Sequence, residues 1–272
     1  MNEQETRRLT TGRGDELAYD LTTGPGDGPT VVLVPGAGSL RGDAGVAETA
    51  RLLAGAGVRT VVPDRLGRQG QDARSGPYDL DRELEALGAV LAAEGGRAVL
   101  CGHSSGCAIG LRAVAAGLGV AGLVLWEAPL AAPASRVAEW SSGLDQRLDA
   151  GELEAAQEWY MRDMPPAWLA GAKASPAWPA IYAASPGLRA DAQAMAWATG
   201  ALESGRLRDE VGVPVLAVYG TSTFPEMPAA ARRLAEVLEQ AEVREVGGAG
   251  HAWDPAAFAP VLATFTKACL PS

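Results

Sequence analysis

The chain has 272 residues, 47% of them hydrophobic and 21% charged, and a formal net charge of −10. That balance suits a soluble globular protein large enough to bury its own core, and it excludes a disordered chain. The acidic excess and the absence of any Lys/Arg-rich run argue against nucleic acid and anionic membrane as partners.

No stretch approaches the roughly 18 apolar residues that a membrane span needs, and no apolar segment follows the first residues as in a secretory leader. A cytoplasmic protein is expected. The three cysteines, Cys101, Cys107 and Cys269, are too few and too scattered for a disulfide framework. Cys101 and Cys107 read as buried small residues.

In chain order, residues 7–22 read as a hairpin of two edge strands and 24–29 as a Gly/Pro loop. Residues 30–34 form a continuous β-branched run, the pattern of a strand buried on both faces of a parallel sheet. It ends in Pro35-Gly36-Ala37-Gly38-Ser39. A phosphate cradle fails on spacing, because Arg41 stands where Gly-x-Gly-x-x-Gly requires its third glycine. A helix over 44–56 closed by Gly57 and a strand over 60–63 follow. The strand leads into Asp64-Arg65-Leu66-Gly67-Arg68-Gln69-Gly70, where Asp64 and Arg65 are expected to fix the loop rather than perform chemistry. Residues 79–93 space Leu80, Leu84, Leu87 and Leu91 as an amphipathic helix does.

The apolar run from Ala98 then enters Gly102-His103-Ser104-Ser105-Gly106 and continues with helical spacing. In such a strand–turn–helix the central serine takes a strained backbone, and both flanks must be small for strand and helix to pass closely. The Ser105 N–H, at the helix start, can stabilise a developing oxyanion. A glycine-punctuated turn with a serine N-cap would carry the same letters.

Residues 121–126 are a further buried strand. It stops at Glu127, a carboxylate at the end of the sheet where open α/β folds place ligands. Between 131 and 205 the βα alternation lapses and proline becomes frequent. Trp140, Trp159, Trp168, Trp178 and Trp197 appear there, five of the seven tryptophans. This stretch reads as an inserted helical cap whose aromatic and Met side chains suit an apolar ligand. A strand over 213–219, a helix over 228–240 and a last strand over 242–246 follow. Then comes a flexible, glycine-rich loop, Gly247-Gly248-Ala249-Gly250-His251, and a final helix over 255–268.

A serine hydroxyl needs a general base within hydrogen-bond reach, and only two histidines exist. His103 adjoins Ser104 and should point away from it, which leaves His251.

The elbow, the Asp-Arg-Leu-Gly-Arg loop and the terminal histidine loop together resemble the α/β-hydrolase superfamily. The resemblance implies a doubly wound, mostly parallel α/β sheet with a helical cap: core 1–130 and 206–272, cap 131–205. It implies Ser104 as nucleophile, His251 as base, and the N–H groups of Ala37 and Ser105 as the oxyanion hole. The family's usual acid position, four residues into Gly220-Thr-Ser-Thr223, holds no carboxylate. Three explanations stand open: Glu127 is the acid, Glu226 reaches back, or the acid is weakened. Trp126-Glu127-Ala-Pro also resembles a group of small bacterial hydrolases that carry Tyr-Glu-Pro-Pro here.

The expected function is a cofactor-independent serine hydrolase acting on a carboxylic ester or thioester of a mostly apolar small molecule. Rivals are a carbon–carbon bond hydrolase and a non-hydrolytic ligand-binding protein or biosynthetic cyclase on the same fold. No ligand cluster for a metal is evident. A homodimer remains open.

Overall fold

The short β-branched and apolar runs of the sequence pair edge to edge in one sheet. The structure, a computed structural model, describes residues 2–26, 28–68 and 76–271, so Gln69 and Gly70 of the Asp-Arg-Leu-Gly-Arg loop lie outside the described residues. Its strands are β1 (Glu3–Thr10), β2 (Glu16–Thr23), β3 (Thr30–Val34), β4 (Arg59–Pro63), β5 (Ala98–His103), β6 (Val120–Trp126), β7 (Val215–Ser222), β8 (Ala241–Ala249) and β9 (Ala252–Trp253). They lie in the order β1-β2-β4-β3-β5-β6-β7-β8-β9. All neighbours from β4 to β8 run parallel, and β1, β2 and β9 join antiparallel at the edges.

From β3 the chain moves one way to β4, then crosses back to β5 on the other side. Such a reversal opens a crevice at the strands' carboxyl ends, because the two connections leave in opposite directions. The loop at Pro35 and the elbow at Ser104 both flank that crevice.

Helices cover both faces, and alternate side chains of each strand serve alternate faces. Val31, Leu33, Val99 and Cys101 cluster with Leu53 of α1 (Ala44–Gly55) and with Phe258 and Leu262 of α11 (Pro255–Cys269). Val32, Val34 and Leu100 face the opposite way. They join Leu84 and Leu87 of α2 (Leu80–Ala93), Ile109 of α3 (Ser105–Ala115) and Leu234 of α10 (Glu226–Val237). Asp79 caps α2, its carboxylate accepting from the Arg82 N–H.

Between β6 and β7 come α4 (Ala134–Asp149), α5 (Leu153–Met161), α6 (Pro166–Ala174), α7 (Trp178–Ala183), a single 3-10 turn, α8 (Leu188–Glu203) and the short α9 (Leu207–Glu210). α8 belongs to two cores at once. Its Ala194, Met195 and Ala198 pack into the cluster above α3, while Leu188 and Ala192 join Leu144, Ala156 and Tyr160 from α4 and α5. No described helix is long and apolar enough to cross a membrane.

Two expectations need correction. β1 begins at Glu3, so the first hairpin is longer than residues 7–22. The glycine run after residue 246 is no flexible loop: β8 continues through Ala249 and returns as β9, with Ala249 opposite Ala252. Glycines that read as loop sit in the strand because side chains crowd against them. A Cβ on Gly248 would lie 2.8 Å from the Trp126 ring.

Candidate active site

The elbow is built by close approach. A Cβ on Gly102 would stand 2.6 Å from the Cys107 backbone, and one on Gly106 2.2 Å from the Val34 carbonyl oxygen. Only glycine lets β3, β5 and α3 meet there. Ser104 joins strand to helix at φ 55° and ψ −124°, and its N–H donates to the Trp126 carbonyl at 3.0 Å. Cys107 lies buried beneath, its thiol pushed well above the usual range by burial.

At the end of the adjacent strand Glu127 also takes a positive φ, 49°. Its N–H is held by the Val218 carbonyl at 2.8 Å. The carboxylate turns under the sheet edge, where Oε1 accepts the Gly220 N–H at 2.9 Å and Oε2 meets His251 Nδ1 at 2.6 Å. Burial alone would raise this carboxyl's pKa, but the hydrogen bonds from His251 and the Gly220 N–H hold it below the ordinary carboxylate value. An ionised Glu127 fixes the proton on Nδ1 and leaves Nε2 as the acceptor.

His251 occupies the tip of the β8–β9 hairpin. Gly250 and His251 both have positive φ, 58° and 78°, as the two central residues of a type I′ turn require. The Gly250 N–H donates to Ser222. The His251 carbonyl accepts from His103 Nε2 at 2.9 Å and from Trp126 Nε1 at 3.3 Å. His103 therefore does turn away from Ser104, and it clamps the turn that carries the other histidine. Burial, followed by the neighbouring His251, pushes the His103 pKa down to about 4, so it is a neutral donor near pH 7.

On the other side of the elbow, the Ser105 N–H is the first of α3, where the helix supplies no acceptor. The Ala37 N–H donates to Ser105 Oγ at 3.1 Å, and Ser105 Oγ donates in turn to Asp191 Oδ1 at 2.6 Å. Asp191, from α8, is wholly buried. Burial would raise its pKa, but the Arg65 and Arg68 guanidinium groups hold it low. Arg65 reaches Asp191 at 2.6 Å, Glu83 at 2.7 Å and the Pro35 carbonyl at 3.2 Å. Arg68 pairs with the other Asp191 oxygen. The Pro35–Ala37 loop is thus tied at its carbonyl by Arg65 and at its N–H by Ser105. Asp64 fixes its own loop by pairing with Arg41 at 2.7 Å.

Of the two candidate acids, the structure brings Glu127 to His251. Glu226 is the exposed first residue of α10. Among the described residues no group of three or more His, Cys, Asp or Glu is placed to hold a metal ion.

A sequence profile described as the alpha/beta hydrolase family matches residues 31–261. The chain belongs to that family. An alpha/beta hydrolase from Sphaerobacter thermophilus is 30% identical, with a TM-score of 0.78 over 95% of this chain and 99% of that one. The esterase RhEst1 from a Rhodococcus species is 24% identical, with a TM-score of 0.60 over 97% of this chain and 99% of that one. An enol-lactonase from Burkholderia xenovorans is 18% identical, with a TM-score of 0.59 over 98% of this chain and all of that one. A comparison with curated proteins finds no match.

Within this alpha/beta hydrolase site, several residues escape sequence reasoning. The clamp role of His103 depends on a carbonyl in a hairpin turn 148 positions away. Asp191 left one signal: at helical spacing it shares the apolar stripe of Leu188, Met195 and Ala198, and an acid on a buried stripe needs a cation. Phe224 is the third omission, and so is its pairing with Trp168, which the sequence offers only as one of five cap tryptophans. Their rings meet edge to face at 5.6 Å, and each centroid lies 6.3 Å from that of His251.

Proposed function

We propose that this protein is a serine hydrolase that cleaves a carboxylic ester or thioester of a mostly apolar small molecule through an acyl-enzyme on Ser104, without a cofactor. One observation carries the reading. Among the described residues three non-glycine positions have positive φ, and they are Ser104, Glu127 and His251. Such conformations cost about 1–3 kcal/mol each and persist where function or packing demands them. Glu127 sits on His251 Nδ1 at 2.6 Å, and Ser104 follows the strand that pairs with the one ending at Glu127, an arrangement that supports a nucleophile–base–acid set.

In this reading His251 Nε2 takes the Ser104 hydroxyl proton as Oγ bonds to the carbonyl carbon. Glu127 keeps Nδ1 protonated and stabilises the imidazolium. The carbonyl oxygen becomes an oxyanion beside the Ser105 N–H. The Ala37 N–H joins it by turning from Ser105 Oγ, giving up a hydrogen bond worth about 1 kcal/mol. As the carbonyl re-forms, the bond to the leaving oxygen or sulfur breaks, and the leaving group takes the proton from His251. Water then attacks the acyl-enzyme, giving a proton to His251. The acid is released, and Ser104 regains its proton.

The test is labelling by a fluorophosphonate serine probe, read by intact mass, on wild type and on Ser104→Ala, Glu127→Ala and Glu226→Ala. We expect one adduct on wild type, none on Ser104→Ala, labelling slowed by a factor on the order of 10⁴ in Glu127→Ala, and wild-type labelling in Glu226→Ala. A folded wild-type protein that stays unlabelled, or a Ser104→Ala variant that still reacts, would sink the reading. A panel of esters, thioesters and lactones then fixes the bond cleaved.

A further inference from the structure

We infer that Trp168 and Phe224 form a leaving-group subsite for a flat apolar alcohol or thiol, which makes the preferred substrate an ester of an arylmethyl-type leaving group. This deepens the function proposed above and rests on it.

The geometry follows from what His251 must touch. Its Nε2 hands the proton to the departing oxygen or sulfur, so the atoms attached to that oxygen or sulfur lie against whatever surrounds the His251 ring. Two described aromatic rings stand there in addition to those beneath the turn. Trp168 comes from α6 and Phe224 from the segment after β7, and each is 6.3 Å from the imidazole. They hold one another edge to face, 72° apart, the geometry aromatic pairs favour. His103 and Trp253 also lie close to this assembly, but His103 bonds the His251 carbonyl and Trp253 bonds Thr49. They support the hairpin from within.

The exposure of Trp168 supports a binding role over a packing one. It is 39% exposed, one of two large hydrophobic side chains among the described residues left open on the surface. The helix that carries it, α6, buries none of its residues. A tryptophan that served only to anchor α6 would be covered by its contacts. This one stays part-exposed with its ring 6.3 Å from that of the proposed base.

The oxyanion side of the site has a different surround. Ala37, beside the proposed oxyanion position, packs against the cluster of Leu144, Tyr160 and Leu188, with Met164 on the same cluster. The rings beside His251 come from α6 and the segment after β7 instead.

The experiment compares benzyl butyrate with ethyl butyrate, esters that share one acyl-enzyme and release alcohols of similar acidity. It uses wild type, Trp168→Ala and Phe224→Ala. Wild type should prefer the benzyl ester in kcat/KM, and each variant should reduce that preference about tenfold. The deacylation rate constant, read from decay of the common butyryl-enzyme by mass, should match wild type, because the leaving group has gone by then.

An unchanged benzyl-to-ethyl ratio in both variants overturns the inference. So does a changed deacylation rate with an unchanged ratio, which would put the rings on the acyl side. Fluorophosphonate labelling of the same samples separates the two levels. Ser104 labelling with an unchanged ratio removes only the subsite. No labelling and no acyl-enzyme in folded wild type removes the hydrolase reading itself.

Discussion

Ser104 pays for its place at the elbow in backbone strain, and that cost can be measured. At φ 55° and ψ −124° a side chain is crowded by its own peptide, whereas glycine is not. Ser104→Gly should therefore abolish labelling yet raise the unfolding free energy by about 1 kcal/mol, the relieved strain less the extra freedom glycine brings to the unfolded chain. Urea denaturation at constant m-value is the check, and a variant less stable than wild type would mean that the turn stores no strain. The Ser104 position was legible in the sequence because the motif is local: two glycines, a serine between them and a strand in front. His251 was legible by elimination among two histidines. Glu127 was legible only as one of two candidate acids, since choosing it required knowing that β6 and β7 lie side by side.

The hairpin β8–β9 and the helix α8 carry the features that no local pattern announces. A run of four glycines and alanines before a histidine reads as loop, yet it pairs with β7 and β9, and at Gly248 Trp126 leaves no room for a side chain. The hairpin's tip depends on His103, whose pKa of about 4 lies below the ordinary value near 6.5. Between those two values the unfolded chain binds a proton that the folded chain refuses, so stability rises with pH across that window and is lost on acidification. The loss reaches at most about 3 kcal/mol. Glu127 and Asp191, both held low, add their own losses as the pH falls through the ordinary carboxylate values and further down. The stability difference between pH 6.5 and 4.5 in wild type, set against His103→Gln, isolates the histidine; equal slopes would remove it as the cause. On α8 the buried Asp191 joins residues 123 and 126 positions away, a pairing invisible to any sequence window. Asp191→Ala would leave Arg65 and Arg68 buried without their shared partner and should cost about 3–5 kcal/mol. That cost should be insensitive to added salt, because solvent ions do not reach the cluster. A loss below 1 kcal/mol in a denaturant series would contradict it.

At the scale of the molecule, the alternation of apolar strands and amphipathic helices along the sequence is enough to indicate the doubly wound sheet. Each strand's two faces feed two separate cores, and that regularity repeats often enough along the chain to read. Irregular parts were harder. The helices between β6 and β7 were recognisable as a break in the pattern, yet the double membership of α8 was not, because its small residues suit either core.

Drawing the proposed acid from β6 also has a consequence for how such a protein can change. The proposed nucleophile and acid end neighbouring strands, and the proposed base sits on a hairpin clamped by His103 and Trp126. The segment Thr223–Pro225 after β7, where the family usually keeps its aspartate, is released from supplying a charge. It carries Phe224 instead. Over evolutionary time, or in a directed library, the residue at 224 can be rewritten for new substrates without dismantling the proposed reaction, so diversification and chemistry need not compete for that position.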